Sequence, residues 1–484
     1  MRSAISFAVL LLAAGSASAQ AERYELGQRL KAFEQQWDKT KDEKLKLKAA
    51  EGLPKLTGMF FTGQFGEAGR TLDEARWILE GKKPTDDEKW AASLYFVPES
   101  RYALTPGNQF SVTVNAFYPV KSAKPKELKL EIEIPSLTPA STLTIDSLPA
   151  KVDLTFTHQS PKMRAGGDHP LRVTVRLGDV PVVRREVGVS FEPIEKGYSA
   201  DLAKTLASAE ARLKPNSLEL ASALHHIDLL RSLNKGTVSE TDIPAWSLHQ
   251  RVGEFAYLQQ EKKDFFTPDR PGQFWLSIPT GKSSTPARLY VPPRRGFIPK
   301  GEEDAKTMTL VVALHGAGGS ENLFFEGYGD GQILKLCQKR GWMLLCPRSE
   351  LSLVGGAPPV GELVDELAKR YPIDPKKIFI VGHSMGAMQA IDAVQKYPGK
   401  FAGLAAFGGD GRIRKPELFA ELPTFLAVGD KDFTLNQVRK LKKTLEDAKA
   451  KAVTYREYPG LEHLLIVREA LPDAFALFDT IGKK

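Results

Sequence analysis

The spacing of apolar positions changes character several times along the 484 residues. From residue 20 to about 95 the chain is polar and helix-prone, with Leu26, Leu30, Phe33 and Trp37 three to four apart on one helical face. From about 96 the period becomes two. Phe110, Val112, Val114 and Ala116 alternate with polar residues. So do Leu128 to Ile134, Val152 to Phe156, Leu171 to Leu177 and Val187 to Phe191. Turn-forming clusters separate these runs, among them Thr105-Pro106-Gly107-Asn108 and Ala165-Gly166-Gly167-Asp168. Helical spacing returns from 196 to 264, where Leu220, Leu224, Ile227 and Leu230 form one stripe and Trp246 to Glu261 continues the helical character. After Arg270-Pro271-Gly272, strands alternate with helices. The strand candidates are Gln273 to Ile278, Ala287 to Val291, Met308 to Leu314, Gly341 to Cys346, Lys377 to Val381, Gly403 to Phe407, Thr424 to Val428 and Val453 to Tyr458.

These patterns predict a multidomain protein. Residues 1–19 read as a leader, 20–95 as a helical segment, and 96–195 as a β-sandwich of immunoglobulin or fibronectin type. Residues 196–264 follow as a helical connector, and 265–484 as an α/β domain with a mostly parallel sheet covered by helices. The first two strands of that sheet have no helix between them and are expected to form an antiparallel edge.

Composition sharpens this picture in three places. Met1-Arg2, an apolar run from Ala4 to Ala14 and the small residues Ala17-Ser18-Ala19 predict a signal peptide cleaved after Ala19. The apolar run is too short to span a bilayer, so the expected address is exported, periplasmic or secreted, without a stable membrane anchor. The formal charge of +8 comes from lysines interleaved with acids, which reads as solvated helix faces and not as a nucleic-acid surface. Cys337 and Cys346 are the two cysteines, expected as buried free thiols, with a bridge between them as the alternative.

The chemistry gathers late in the chain. A β-branched and aromatic run, Lys377 to Val381, stops at Gly382-His383-Ser384-Met385-Gly386 and continues as a helix-compatible segment. This is the strand–turn–helix setting of a nucleophile elbow, in which glycines remove side chains that would collide and leave Ser384 exposed. A serine hydroxyl needs a base, and the base needs an orienting carboxylate. Gly429-Asp430-Lys431-Asp432 follows the penultimate strand. Gly460-Leu461-Glu462-His463 follows the last one, with the sole histidine beyond Ser384. Asp432 is the expected acid and His463 the expected base. Asp430 is the alternative acid, and otherwise a turn residue. The oxyanion needs preorganised N–H groups. Met385 supplies one, and Ala317 in Leu314-His315-Gly316-Ala317-Gly318-Gly319 is the expected second donor. Adjacent histidines on a helix diverge by ~100°, so His225 and His226 are expected as ordinary helix residues and no metal site is implied. Phe324, Phe325, Tyr328 and Trp342 either line an aromatic acyl pocket or pack the oxyanion loop onto the sheet.

With these residues in view, residues 270–484 resemble the α/β-hydrolases, and more narrowly the exported esterases grouped with polyhydroxybutyrate depolymerases and feruloyl esterases. The matching pieces are the oxyanion segment, Tyr371-Pro372-Ile373-Asp374-Pro375-Lys376-Lys377, the elbow, Tyr397-Pro398-Gly399-Lys400-Phe401-Ala402, and the acid and histidine segments. The resemblance implies a serine esterase that hydrolyses a small or polymer-linked ester through Ser384, His463 and Asp432 without a cofactor. It also maps the acid to Asp432. A prolyl-oligopeptidase-type peptidase is the first rival, although the blade repeats of its propeller are not found here. A polysaccharide- or wall-binding protein with a relic hydrolase is the second. Residues 20–264 are expected to be accessory, with polysaccharide contact through the sandwich and chemistry self-contained after Arg270. His158 and His169 of the sandwich fall in turn-like segments.

Overall fold

The computed structural model describes every residue except 1–16, 104–108, 136, 157–165, 194–201, 236–239, 282, 294–306, 350–356 and 482–484. Most of the expected leader, the turn at Thr105 to Asn108 and His158 therefore lie outside the described residues.

The chain begins with helices at Ala17–Lys39, Glu43–Ala50, Leu56–Phe61, Phe65–Leu79 and Asp86–Ala92. Eight strands follow: β1 (Leu94–Pro98), β2 (Tyr102–Ala103), β3 (Gln109–Ala116), β4 (Leu128–Glu133), β5 (Ser141–Thr144), β6 (Ala150–Thr155), β7 (Gly167–Leu177) and β8 (Val180–Phe191). They form two sheets, β1-β3-β6 and β2-β8-β7-β4-β5. Inward-facing residues of both sheets, such as Val112 and Leu154 from one and Leu130 and Val173 from the other, share one buried cluster. The period-two runs are thus the inner faces of two packed sheets. Gly167 and Asp168, expected in a turn, instead open β7. Asp168 accepts hydrogen bonds from Ser190 Oγ and the Trp246 amide, which ties that strand end to the next helical segment.

Helices Leu202–Arg212, Leu218–Asn234 and Ala245–Gln260 lead into an eight-stranded sheet. Its strands are β9 (Gly272–Thr280), β10 (Ser283–Val291), β11 (Met308–Leu314), β12 (Met343–Pro347), β13 (Ile373–His383), β14 (Gly403–Phe407), β15 (Thr424–Gly429) and β16 (Val453–Tyr458). The spatial order is β16-β15-β14-β13-β11-β12-β10-β9. β9 and β10 are antiparallel, and all the pairs from β12 to β16 are parallel.

Strand alternation sorts this sheet's side chains onto two faces. Leu310, Val312 and Leu314 of β11 bury one way, while Val311 and Ala313 bury the other. The first face packs against the helices before β9, through Ile227, Leu230, Val252 and Phe255, and against helices Val360–Ala368, Met385–Lys396 and Leu435–Asp447. The second packs against Gln332–Arg340, Leu465–Phe478 and the N-terminal helices, through Phe33, Trp37 and Leu53. Polar anchors reinforce that second contact. Arg468 pairs with Glu34 and Asp38, and Trp37 Nε1 donates to Glu469 at 3.1 Å. The first and last thirds of the chain therefore share a core. Cys337 and Cys346 are buried and unbridged.

Candidate active site

The sheet reverses direction of growth at β11, with β12 on one side and β13 on the other. Loops at the carboxyl ends of strands flanking such a switch point enclose a crevice. Leu314 and Gly382 are register partners at those ends, so the His315-Gly316-Ala317-Gly318-Gly319 loop and the Ser384 turn are neighbours. Tight packing accounts for the glycines of the turn. A Cβ on Gly382 would lie 2.1 Å from the Gly386 carbonyl oxygen, and one on Gly386 would lie 1.9 Å from that of Leu314. Ser384 adopts φ 55° and ψ −118°, a strained conformation for a residue with a side chain. Its amide donates to the Phe407 carbonyl at 2.8 Å. Met385 opens helix Met385–Lys396, where the first N–H groups have no acceptor within the helix.

β15 and β16 bring the acid and the imidazole together. His463 Nδ1 lies 2.9 Å and 3.0 Å from the two carboxylate oxygens of Asp432. Asp432 also accepts from the amide and hydroxyl of Thr434, both at 2.8 Å. Burial opposes ionisation of Asp432, but the hydrogen bonds from His463 and Thr434 outweigh it and hold the pKa below the usual carboxylate range. Asp430 faces elsewhere and accepts from the Gly460 amide at 2.7 Å, the turn-holding part expected for it. His315 braces the glycine loop. Its Nδ1 lies 2.8 Å from the Gly316 carbonyl, and its Nε2 accepts from the Ser349 amide at 3.0 Å.

Ser384, His463, Gly316 and Ala317 line one cavity of about 110 Å³. Its other wall comes from before Arg270, so the cavity draws on more of the chain than the expected catalytic groups, which all follow Arg270. That wall comes from Leu26 and Leu30 of the first helix, Leu56, Phe60 and Phe61 of a later one, and Leu72, with Arg23 and Glu240 also present. The Arg23 guanidinium lies over the Phe60 ring, 5.5 Å from its centroid, and donates to the Gly318 carbonyl. Phe60 packs so closely on Gly318 that a Cβ there would meet the ring at 2.7 Å. Nothing in the local sequence marks these residues, because an apolar residue on a helix face reads as core wherever it packs.

The four aromatics near the glycine loop divide. Phe324 and Phe325 are buried in the core, and Trp342 stacks on Phe475. Only Tyr328 of this group reaches the cavity. His226 Nε2 sits 2.7 Å from the Trp275 carbonyl. Burial pushes the pKa of His225 down to about 4 and that of His226 to about 3. Among the described residues no group of three His, Cys, Asp or Glu side chains is placed to hold a metal ion. No helix among them is long and apolar enough to cross a membrane.

A family model described as Phospholipase/Carboxylesterase matches residues 355–472, which contain the elbow, Asp432 and His463. This part of the chain is an α/β-hydrolase related to carboxylesterases. A bifunctional acetylxylan esterase/xylanase of Neocallimastix patriciarum is 29% identical over 171 residues, 33% of this chain and 25% of that protein. The chain thus spans about a quarter of that relative's length. Among solved structures, a feruloyl esterase module from Clostridium thermocellum aligns with 45% of this chain and 91% of its own, at 15% identity and a TM-score of 0.36. A thermostable esterase aligns with 80% and 99%, at 17% identity and a TM-score of 0.38.

Proposed function

We propose that this protein is a serine esterase in which Ser384 is the nucleophile, His463 the general base and acid, and Asp432 the group that orients the imidazole. The observation that carries the reading is the Asp432–His463 pair at 2.9 Å, of which His463 lines one cavity with Ser384 and Ala317. Ser384 Oγ attacks the ester carbonyl as its proton passes to His463 Nε2. The resulting oxyanion lies between the N–H groups of Met385 and Ala317, each donor contributing about 3–4 kcal/mol to the barrier reduction. Collapse expels the alcohol, which takes the proton from His463. Water activated by the same imidazole then cleaves the acyl-enzyme and regenerates Ser384. Asp432 stays ionised throughout and favours the transient imidazolium.

The apolar wall formed by Leu26, Leu56 and Phe60 suits an ester with an apolar group on one side of the scissile bond. We further propose that the protein is exported through its leader. The two-sheet unit is read as an immunoglobulin-like module, because β2 pairs in parallel with β8 beside the antiparallel β7, β4 and β5, and as a surface for contact with a polysaccharide that bears the ester. A fluorophosphonate probe is expected to label the wild type and not Ser384→Ala. Undiminished labelling of that variant places the nucleophile elsewhere. A panel of p-nitrophenyl esters, feruloyl esters, acetylated xylan and dipeptidyl amides then ranks substrates, and a preference for the amides overturns the esterase reading.

A further inference from the structure

His383, between Gly382 and Ser384, is fully buried and takes no part in the proposed chemistry, yet both of its ring nitrogens have partners on other loops. Nδ1 lies 2.6 Å from the Tyr328 hydroxyl, and Nε2 lies 2.8 Å from the backbone carbonyl of His463. The Tyr328 oxygen is in turn 3.3 Å from the Gly316 amide nitrogen. The direction of this chain follows from its ends. A carbonyl only accepts, so His383 Nε2 carries the proton. A neutral imidazole protonated there has a bare Nδ1, which accepts from the Tyr328 hydroxyl. The Tyr328 oxygen is then left to accept from Gly316 N–H. Every donor has an acceptor, and the chain crosses from the oxyanion loop after β11, through the elbow after β13, to the histidine loop after β16.

We propose that Tyr328 and His383 are positioning residues, a buried relay that fixes the oxyanion loop relative to the backbone of His463. The proposal rests on the reading of Ser384 and His463 as nucleophile and base. Three further observations support it. Burial, reinforced by the neighbouring His463, pushes the His383 pKa down to about 3, so the ring is neutral as the relay requires. The His383 and His463 rings are in contact, with centroids 4.6 Å apart. A Cβ on Gly316 would meet His383 Nδ1 at 3.0 Å and the Tyr328 oxygen at 3.2 Å, so a side chain there would press on both members of the relay.

The test is fluorophosphonate inactivation of the full chain, with the rate resolved into probe affinity and the limiting rate of inactivation. Ser384→Ala is the control, because persistent labelling there refutes the nucleophile assignment irrespective of the relay. With that control silent, Tyr328→Phe is expected to lower the limiting rate about 10–100-fold at unchanged probe affinity, the scale of a small misplacement of reacting groups. His383→Gln keeps a side-chain N–H and an acceptor and is expected to retain most of the rate, whereas His383→Leu falls as far as Tyr328→Phe. The double variant Tyr328→Phe, His383→Leu is expected to be no worse than either single one, as for members of one chain. Circular dichroism and thermal unfolding confirm that each variant is folded. A folded Tyr328→Phe protein that reacts at the wild-type rate overturns the proposal, as does His383→Gln falling as far as His383→Leu. Should His383→Leu not fold, ¹⁵N-histidine spectra of the wild type decide: His383 protonated at Nε2 and bare at Nδ1 supports the relay, and a proton on Nδ1 refutes it.

Discussion

The cavity has two walls of different origin. One is made of loops that follow β11, β13 and β16, the first two fixed by strands that pair side by side. The other is made of side chains from helices Ala17–Lys39 and Leu56–Phe61, with Leu72 beside them, and is held there by a core that the N-terminal helices share with the sheet. The first wall carries the proposed nucleophile, base and oxyanion donors and should govern kcat. The second carries apolar surface and should govern which ester binds and whether the hydrolase part stays folded.

Removing the second wall entirely is the harshest test. A protein starting near residue 264 loses Phe33, Trp37 and Leu53 from one face of the sheet and Ile227, Leu230, Val252 and Phe255 from the other. It is expected to aggregate, and gel filtration of the fragment checks this. A monodisperse fragment that hydrolyses p-nitrophenyl acetate at the full-length rate would erase the distinction between the walls.

Asp432→Asn on the first wall is expected to cut kcat by about 10³–10⁴ through the wrong imidazole tautomer, while Asp430→Asn costs less than about tenfold. Steady-state kinetics on one soluble ester rank the two, and the reverse order reassigns the acid.

Between the walls, Arg468→Met leaves the buried Glu34 without its cation. The expected loss is about 3–5 kcal/mol of stability, seen in urea unfolding, with kcat largely kept in the protein that remains folded. A variant as stable as the wild type shows that this anchor does not hold the N-terminal helices in place.

The mildest change, Phe60→Ala, is expected to lower kcat/KM about tenfold for esters with a bulky apolar group. The effect should come through KM, and acetate esters should be nearly unaffected. Equal losses on both kinds of ester would mean that Phe60 acts on the oxyanion loop through Gly318 and not on the substrate.

Much of the molecule was legible before folding. β11, β14 and β16 begin and end at the residues expected for them, and the antiparallel edge formed by β9 and β10 follows from the missing helix between them. β11 and β14 are buried on both faces and so are continuous apolar runs bounded by turn residues, whereas the edge strand β16 shows through its alternation. Short strands were harder. β2 and β5 escaped notice because two to four residues give periodicity too little to work with.

The same division holds at the site. Ser384, Asp432 and His463 stand at strand ends in a fixed chain order, and their neighbours Gly382, Gly386 and Gly429 are punctuation that a local reading detects. Leu26, Leu56 and Phe60 carry no such mark. Their spacing says that they are buried but not against what, since the hydrophobic effect is non-directional. His383 and Tyr328 lie 55 residues apart, and the direction of their hydrogen bond depends on a carbonyl at position 463. The sequence alone determined which groups are candidates for acyl transfer and in what order they follow the sheet. The tertiary structure alone decided what covers them and which buried groups hold them in place, because packing partners and hydrogen-bond directions exist only once distant segments share one interior.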